Sequence, residues 1–139
     1  MPHLLRQAWK LLPGNLSSMA AMSSSSGRPL EEFSMAFVTA PNSEKAKEIA
    51  GGIVSNKLAA CVNIIPGVTS VYEWEGKIEN DSEVLMMIKT RSSRIEELTE
   101  FVKKNHPYDV CEVITTSIEG GNKEYIDWIG KVVPAVKNN

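Results

Sequence analysis

The chain has 139 residues and a mass of 15.3 kDa, with 42% hydrophobic and 23% charged residues, the composition expected of one ordinary soluble domain with a single core. A formal net charge of −2 and a pI near 5.7, with no Lys/Arg cluster interleaved with aromatics, argue against a nucleic-acid partner. No apolar run reaches the roughly 18 residues that a membrane-spanning helix needs.

Residues 1–32 read as a flexible leader and 33–139 as the folded domain. Before Glu31 there is no acidic residue, while Arg6, Lys10 and Arg28 are basic and serines gather at Ser17-Ser18 and Ser23 to Ser26. Leu4, Leu5, Ala8, Trp9, Leu11 and Leu12 share one side of a helix on which Arg6 and Lys10 form an i,i+4 pair, ended by Pro13-Gly14. An amphipathic, serine-rich, acid-poor start is the pattern of an organelle transit peptide; a tail without purpose is the alternative. Location is expected to be mitochondrial or cytoplasmic according to whether the leader is used, since Met19, Met22 or Met35 can each serve as a later start.

Phe33 to Ala40 reads as a short strand closed by Pro41. Asn42 or Ser43 then caps a helix with Ala46, Ile49, Ala50, Ile53, Val54 and Leu58 on one face. Gly51-Gly52 lies off that face with no packing reason evident, at about 1 kcal/mol per glycine relative to alanine. Ala59 to Trp74 and Lys77 to Arg91 form two long strands folded back at Glu75-Gly76, where Gly76 suits a positive φ. Pro66-Gly67 predicts a bulge or bend, and Glu79-Asn80-Asp81-Ser82-Glu83 reads as a solvated polar run. A hairpin about twice the common strand length must overhang a small core, which calls for a partner subunit.

Ser93 is the expected N-cap of a second helix, with Glu96 completing a capping box and Ile95, Leu98, Phe101 and Val102 as its buried stripe. The helix stops by His106-Pro107. Val110 to Ile118 reads as a fourth strand. Gly120-Gly121 turns the chain, Asn122 caps, and Tyr125, Trp128, Ile129 and Val132 form the face of a last helix ending before Pro134, with a loose tail to Asn139.

The resulting order is β-α-β-β-α-β plus a terminal helix, an α+β fold of the ferredoxin-like type. Right-handed crossovers put both inner helices on one sheet face, and the spatial order 4-1-3-2 leaves strands two and four as edges. Edge pairing that closes after three copies gives a trimer. Catalytic signatures are absent: the histidines are His3 and His106 alone, and no Gly-x-Ser-x-Gly, P-loop or HExxH occurs, so the expectation is a protein that is not an enzyme.

Lys57-Leu58-Ala59-Ala60-Cys61-Val62-Asn63-Ile64-Ile65-Pro66, then Tyr72-Glu73-Trp74-Glu75-Gly76-Lys77-Ile78, Met87-Ile88-Lys89-Thr90, His106-Pro107-Tyr108-Asp109, and Asn122 with Tyr125 and Trp128, occur in order. From about Phe33 to Val133 the chain resembles the CutA divalent-cation-tolerance family, and the leader is similar to that of its animal members. The resemblance implies a ferredoxin-like protomer in a tight homotrimer with the hairpin pairing across subunits. It also implies binding of copper or other divalent metal ions, no organic cofactor and a link to metal tolerance. For animal members it implies a scaffold role in processing or membrane anchoring of acetylcholinesterase. A third reading, a small-molecule sensor at the subunit cleft, rests on analogy to trimeric ferredoxin-like nitrogen-regulatory proteins, and the chain lacks a Gly-rich phosphate loop.

Cys61 matches the family's cysteine. It reads either as a soft ligand for Cu(I) or as a small buried hydrophobe. Cys111 stands where many members carry proline and adds a thiol near His106 and Glu112; these four are the metal candidates. A Cys61–Cys111 disulfide is not expected, with the two thiols on opposite edge strands. His106 reads as an imidazolium meeting a helix C-terminal dipole, or as a cleft ligand with Tyr108 and Glu112. Asn63, Tyr72, Trp74, Tyr125 and Trp128 are binding or interface candidates, and Lys89 is placed to hold an anion or a neighbouring carboxylate.

Overall fold

The structure, a computed structural model, describes residues 33–137. The leader and the last two residues lie outside the described residues. The elements in chain order are β1 (Phe33–Ala40), α1 (Ser43–Ser55), β2 (Cys61–Trp74), β3 (Lys77–Arg91), a 3₁₀ turn (Ser92–Arg94), α2 (Ile95–Asn105), β4 (Ile114–Ile118) and α3 (Lys123–Val132). The sheet runs β2-β3-β1-β4 with antiparallel pairing throughout, so the ferredoxin-like arrangement and its two expected edges are present.

The strands have two faces because side chains alternate along them. Ala36, Val38 and Ala40 of β1 and Val84, Met86 and Ile88 of β3 point to α1 and α2, where they form one core with Ile49, Ile53, Leu98 and Val102. The opposite face carries Phe33, Met35, Phe37, Leu85 and Met87, all half-buried. Here α3 covers one end, packing Ile129 and Val133 against Phe33 and Ile118. Arg91 fastens it: Nε donates to Val133 O at 2.5 Å, Nη2 donates to Gly130 O at 2.5 Å, and the guanidinium lies 5.6 Å from the Phe33 ring centroid.

β1 spans only the Val84–Arg91 half of β3, pairing Ala40 with Val84 and Phe33 with Arg91. Residues 77–83 pair with β2 alone, so roughly 23 Å of hairpin extends past the third strand. The register shift between Ile65 and Val68 falls where the hairpin leaves the sheet, and Gly67 takes φ 77° there, as the Pro66-Gly67 pair predicts. At the tip both turn residues have positive φ, 48° at Glu75 and 77° at Gly76, the type I′ geometry that matches strand twist.

Several expectations are corrected. Ser93 does not cap α2: the chain first makes the 3₁₀ turn, the N-cap is Arg94, and Ser92 Oγ is instead 2.6 Å from Ser34 Oγ. The fourth strand begins at Ile114 rather than Val110, because Cys111 and Val113 pack against the α1–α2 core instead of joining the ladder. On α3, Tyr125 and Trp128 are 39% and 40% exposed, and the buried line runs through Ile126, Ile129 and Val133. Gly52 does have a packing reason, since a Cβ there would lie 2.5 Å from Phe101 Cζ on α2. Gly51, by contrast, faces open space.

α1 ends in a Schellman motif. Leu58 N–H donates to Ile53 O at 3.0 Å and Lys57 N–H donates to Val54 O at 3.1 Å, with Leu58 and Ile53 both buried. The residue at its left-handed position is Lys57, φ 59°, where glycine is usual.

Two predictions follow from these backbone positions. In urea unfolding, Gly51→Ala is expected to stabilise the chain by about 1 kcal/mol and Gly52→Ala to destabilise it by about 1–2 kcal/mol, the clash with Phe101 outweighing helix propensity. Lys57→Gly is expected to raise stability by about 1 kcal/mol by relieving the left-handed strain; a fall would mean that the side chain contributes more than the strain costs.

Candidate functional site

The root of the overhanging hairpin forms one wall of a cleft of about 360 Å³ lined by Thr39, Ser70, Val71, Tyr72, Asp81, Glu83, Tyr108 and Glu112. Period-two geometry assembles it: Asp81 and Glu83 are two apart on β3, and Ser70 and Tyr72 two apart on β2, so each pair shares a face. Thr39 sits near the end of β1, and Tyr108 and Glu112 come from the loop between α2 and β4.

Hydrogen bonds fix the carboxylates. Tyr72 OH donates to Asp81 Oδ2, Tyr108 OH donates to Glu83 Oε2 at 3.0 Å, and Thr39 Oγ1 donates to Glu112 Oε2 at 3.2 Å. Desolvation first, then the bonded Asp81 carboxylate, pushes the Tyr72 phenol above its ordinary range. Desolvation and Glu83 do the same at Tyr108. Both phenols therefore stay protonated as donors, and the cleft presents three carboxyl groups with no lysine or arginine among its lining residues.

His106 lies just behind this cleft and is 8% exposed. Its Nε2 is 2.7 Å from Thr39 O and its Nδ1 accepts from Tyr108 N–H at 3.1 Å, which makes the ring the neutral Nε2–H tautomer. Burial pushes the imidazole below its ordinary 6.5, offset only in part by the Thr39 carbonyl and Glu83. The imidazolium expected at the end of α2 is thus replaced by a buried neutral ring with both nitrogens engaged.

Cys61 is elsewhere. It pairs with Lys89, which pairs in turn with Met35, four residues along β1 from Thr39, or roughly 13 Å. Its Sγ is 4.0 Å from Lys89 Nζ and 4.0 Å from Asn63 Oδ1, Lys89 Nζ also donates to Asn63 Oδ1, and the Tyr125 hydroxyl borders the thiol. An ammonium at that distance repels a metal cation and attracts an anion. Cys111 is half-buried, and burial pushes its thiol up. Both cysteines are free thiols.

The four metal candidates therefore divide. Glu112 lines the cleft, His106 bonds to two of its lining residues, Cys111 packs against the α1–α2 core, and Cys61 lies near α3. Among the described residues no three His, Cys, Asp or Glu side chains stand close enough to hold a metal within one protomer. Of the binding candidates, Tyr72 and Tyr108 line the cleft, Asn63, Lys89 and Tyr125 surround Cys61, Trp128 packs against Tyr125 on α3 with ring centroids 5.4 Å apart, and Trp74 closes the hairpin opposite Lys77. Sequence reasoning missed Asp81 and Glu83 by reading them as a solvated run. The signal was their alternation, since Glu79, Asp81 and Glu83 continue the face of Leu85, Met87 and Lys89.

Comparison with known proteins agrees with this fold. The family model described as CutA1 divalent ion tolerance protein matches residues 34–132. Protein CutA of Mus musculus is 52% identical over 100% of this chain and 84% of its own length, and the CutA homolog of Xenopus laevis is 60% identical over 73% and 68%. A relative from Arabidopsis thaliana, 48% identical over 88% of this chain and 71% of its own, is named chloroplastic. The crystal structure of CutA1 from Oryza sativa superposes with a TM-score of 0.73 at 52% identity, covering 74% of this chain and 94% of that one.

The His106 geometry sets a pH dependence. A depressed native pKa means that the unfolded chain binds the proton first, so the His106 contribution is complete above 6.5 and is lost as pH falls from there through the native value. Urea midpoints measured across that window are expected to fall for the native chain and to flatten in His106→Gln.

Proposed function

The chain belongs to the CutA1 divalent ion tolerance family, and from that membership we propose that it acts as a homotrimer that binds divalent metal ions without catalysing a reaction. The observation that carries the cation reading is that Asp81, Glu83 and Glu112 line one cleft, fixed there by Tyr72, Tyr108 and Thr39. Carboxylates are hard oxygen donors suited to divalent cations, and their phenol and hydroxyl partners leave further lone pairs on each group. Within one protomer these carboxylates do not stand close enough to share an ion, and a neighbour joined along the hairpin would complete the set.

Three features support assembly. β2 and β4 are both edges, the hairpin's outer half is flanked by no third strand of its own protomer, and Val71 and Ile78 on it are 63% and 69% exposed. A head-to-tail contact that closes after three copies removes every such edge. Copper(I) at Cys61 is the soft-ligand counterpart of the cleft reading, and there the ion would have to displace the Lys89 ammonium.

Calorimetric titration separates these sites. Asp81→Asn/Glu83→Gln is expected to weaken Mn(II) and Zn(II) binding by about a hundredfold, about 2.8 kcal/mol, while Cys61→Ser affects Cu(I) alone. Unchanged Mn(II) and Zn(II) affinity in the double variant would remove the cleft as the site. Sedimentation equilibrium is expected to give three times the 15.3 kDa protomer mass, and a monomer would remove the assembly.

A further inference from the structure

A second concavity, about 500 Å³, lies where the end of α1 meets the end of α3 and is lined by Lys57, Trp128, Lys131, Val132 and Pro134. Trp128 and Lys131 are three apart on α3 and so share a face, with the indole 40% exposed. Lys57 is held opposite by the Schellman motif in the left-handed conformation that glycine adopts more cheaply. Among the described residues neither lysine's side-chain ammonium has a hydrogen bond or an ion pair.

The charge here is positive in an acidic protein. Lys57 and Lys131 bring two ammonium groups to the C-terminal ends of α1 and α3, whose partial negative charge offsets them only in part, beside an exposed ring. The walls are also fixed, since Arg91 binds Gly130 O and Val133 O, and Arg94 Nε donates to Pro134 O at 2.8 Å. A rigid, ligand-sized groove with an indole floor and two unpaired cations favours a flat ring that carries an anionic group. We propose that this groove binds a small aromatic anion, an aryl carboxylate or aryl phosphate, its ring stacked on Trp128 and its charge between Lys57 and Lys131. The site is separate from the acidic cleft and does not depend on cation binding there.

The test titrates 2-naphthoate into the full chain and follows the indole N–H resonance of Trp128, assigned through Trp128→Leu against Trp9 and Trp74. A saturable shift is expected, with neutral 2-naphthol and ringless acetate each binding about tenfold more weakly. Lys57→Gly relaxes the backbone, so it should fold, and it is expected to weaken naphthoate about threefold while leaving naphthol unchanged. Lys131→Gln should behave alike. No shift, equal binding of naphthol, or lysine variants without effect would overturn the proposal. So would a Trp128 resonance that moves with protein concentration alone, which would mean that a second copy covers the groove.

Discussion

The mismatch between an eight-residue β1 and a fifteen-residue β3 governs the rest of the molecule. The core can extend only as far as three strands and two helices overlap, so it stops at Val84. Beyond that residue the backbone groups of β2 and β3 are satisfied inward by each other, while their outward groups face the solvent or another chain. The bulge at Pro66-Gly67 and the positive φ pair at Glu75-Gly76 keep this extension ordered and twisted. The acidic cleft exists because the hairpin leaves the core at the point where Thr39 ends β1 and the loop after α2 returns past it.

The same mismatch separates the chemistry of the two ends of the sheet. At the hairpin root, three carboxylates are held by hydroxyl donors, with no cationic side chain in the lining. Near α3 the arrangement is reversed: Lys89 stands beside Cys61, and Arg91 occupies the last carbonyls of the helix. A cation and an anion would therefore be drawn to opposite ends of the sheet.

Where a local pattern and the tertiary packing agree, the element could be read directly. β1 and β3 begin and end where period-two alternation and flanking prolines or polar residues place them, and Asn42 caps α1, its Oδ1 accepting from Lys45 N–H at 2.8 Å. The failures share a cause, contacts with residues distant in sequence. Ser92 turns to Ser34 in the 3₁₀ turn that stands where the capping box was expected, Phe101 fills the space over Gly52, and Cys111 enters the core rather than a ladder. The cleft was legible only in part: Tyr72, Tyr108 and Glu112 stand out in their motifs. Asp81 and Glu83 are ordinary strand polar residues until the loop after α2 brings Tyr108 and Glu112 against the face that their alternation gives them.

The His106 ring ties the end of α2 to the cleft through a short chain of hydrogen bonds. One nitrogen holds the Thr39 carbonyl, whose own hydroxyl donates to Glu112, and the other receives the N–H of Tyr108, whose hydroxyl donates to Glu83. A proton added to that ring sets its Nδ1–H against the Tyr108 N–H. Acid therefore reaches the cleft through the posture of Thr39 and Tyr108. The geometry of the cleft and proton uptake at His106 are thereby thermodynamically linked.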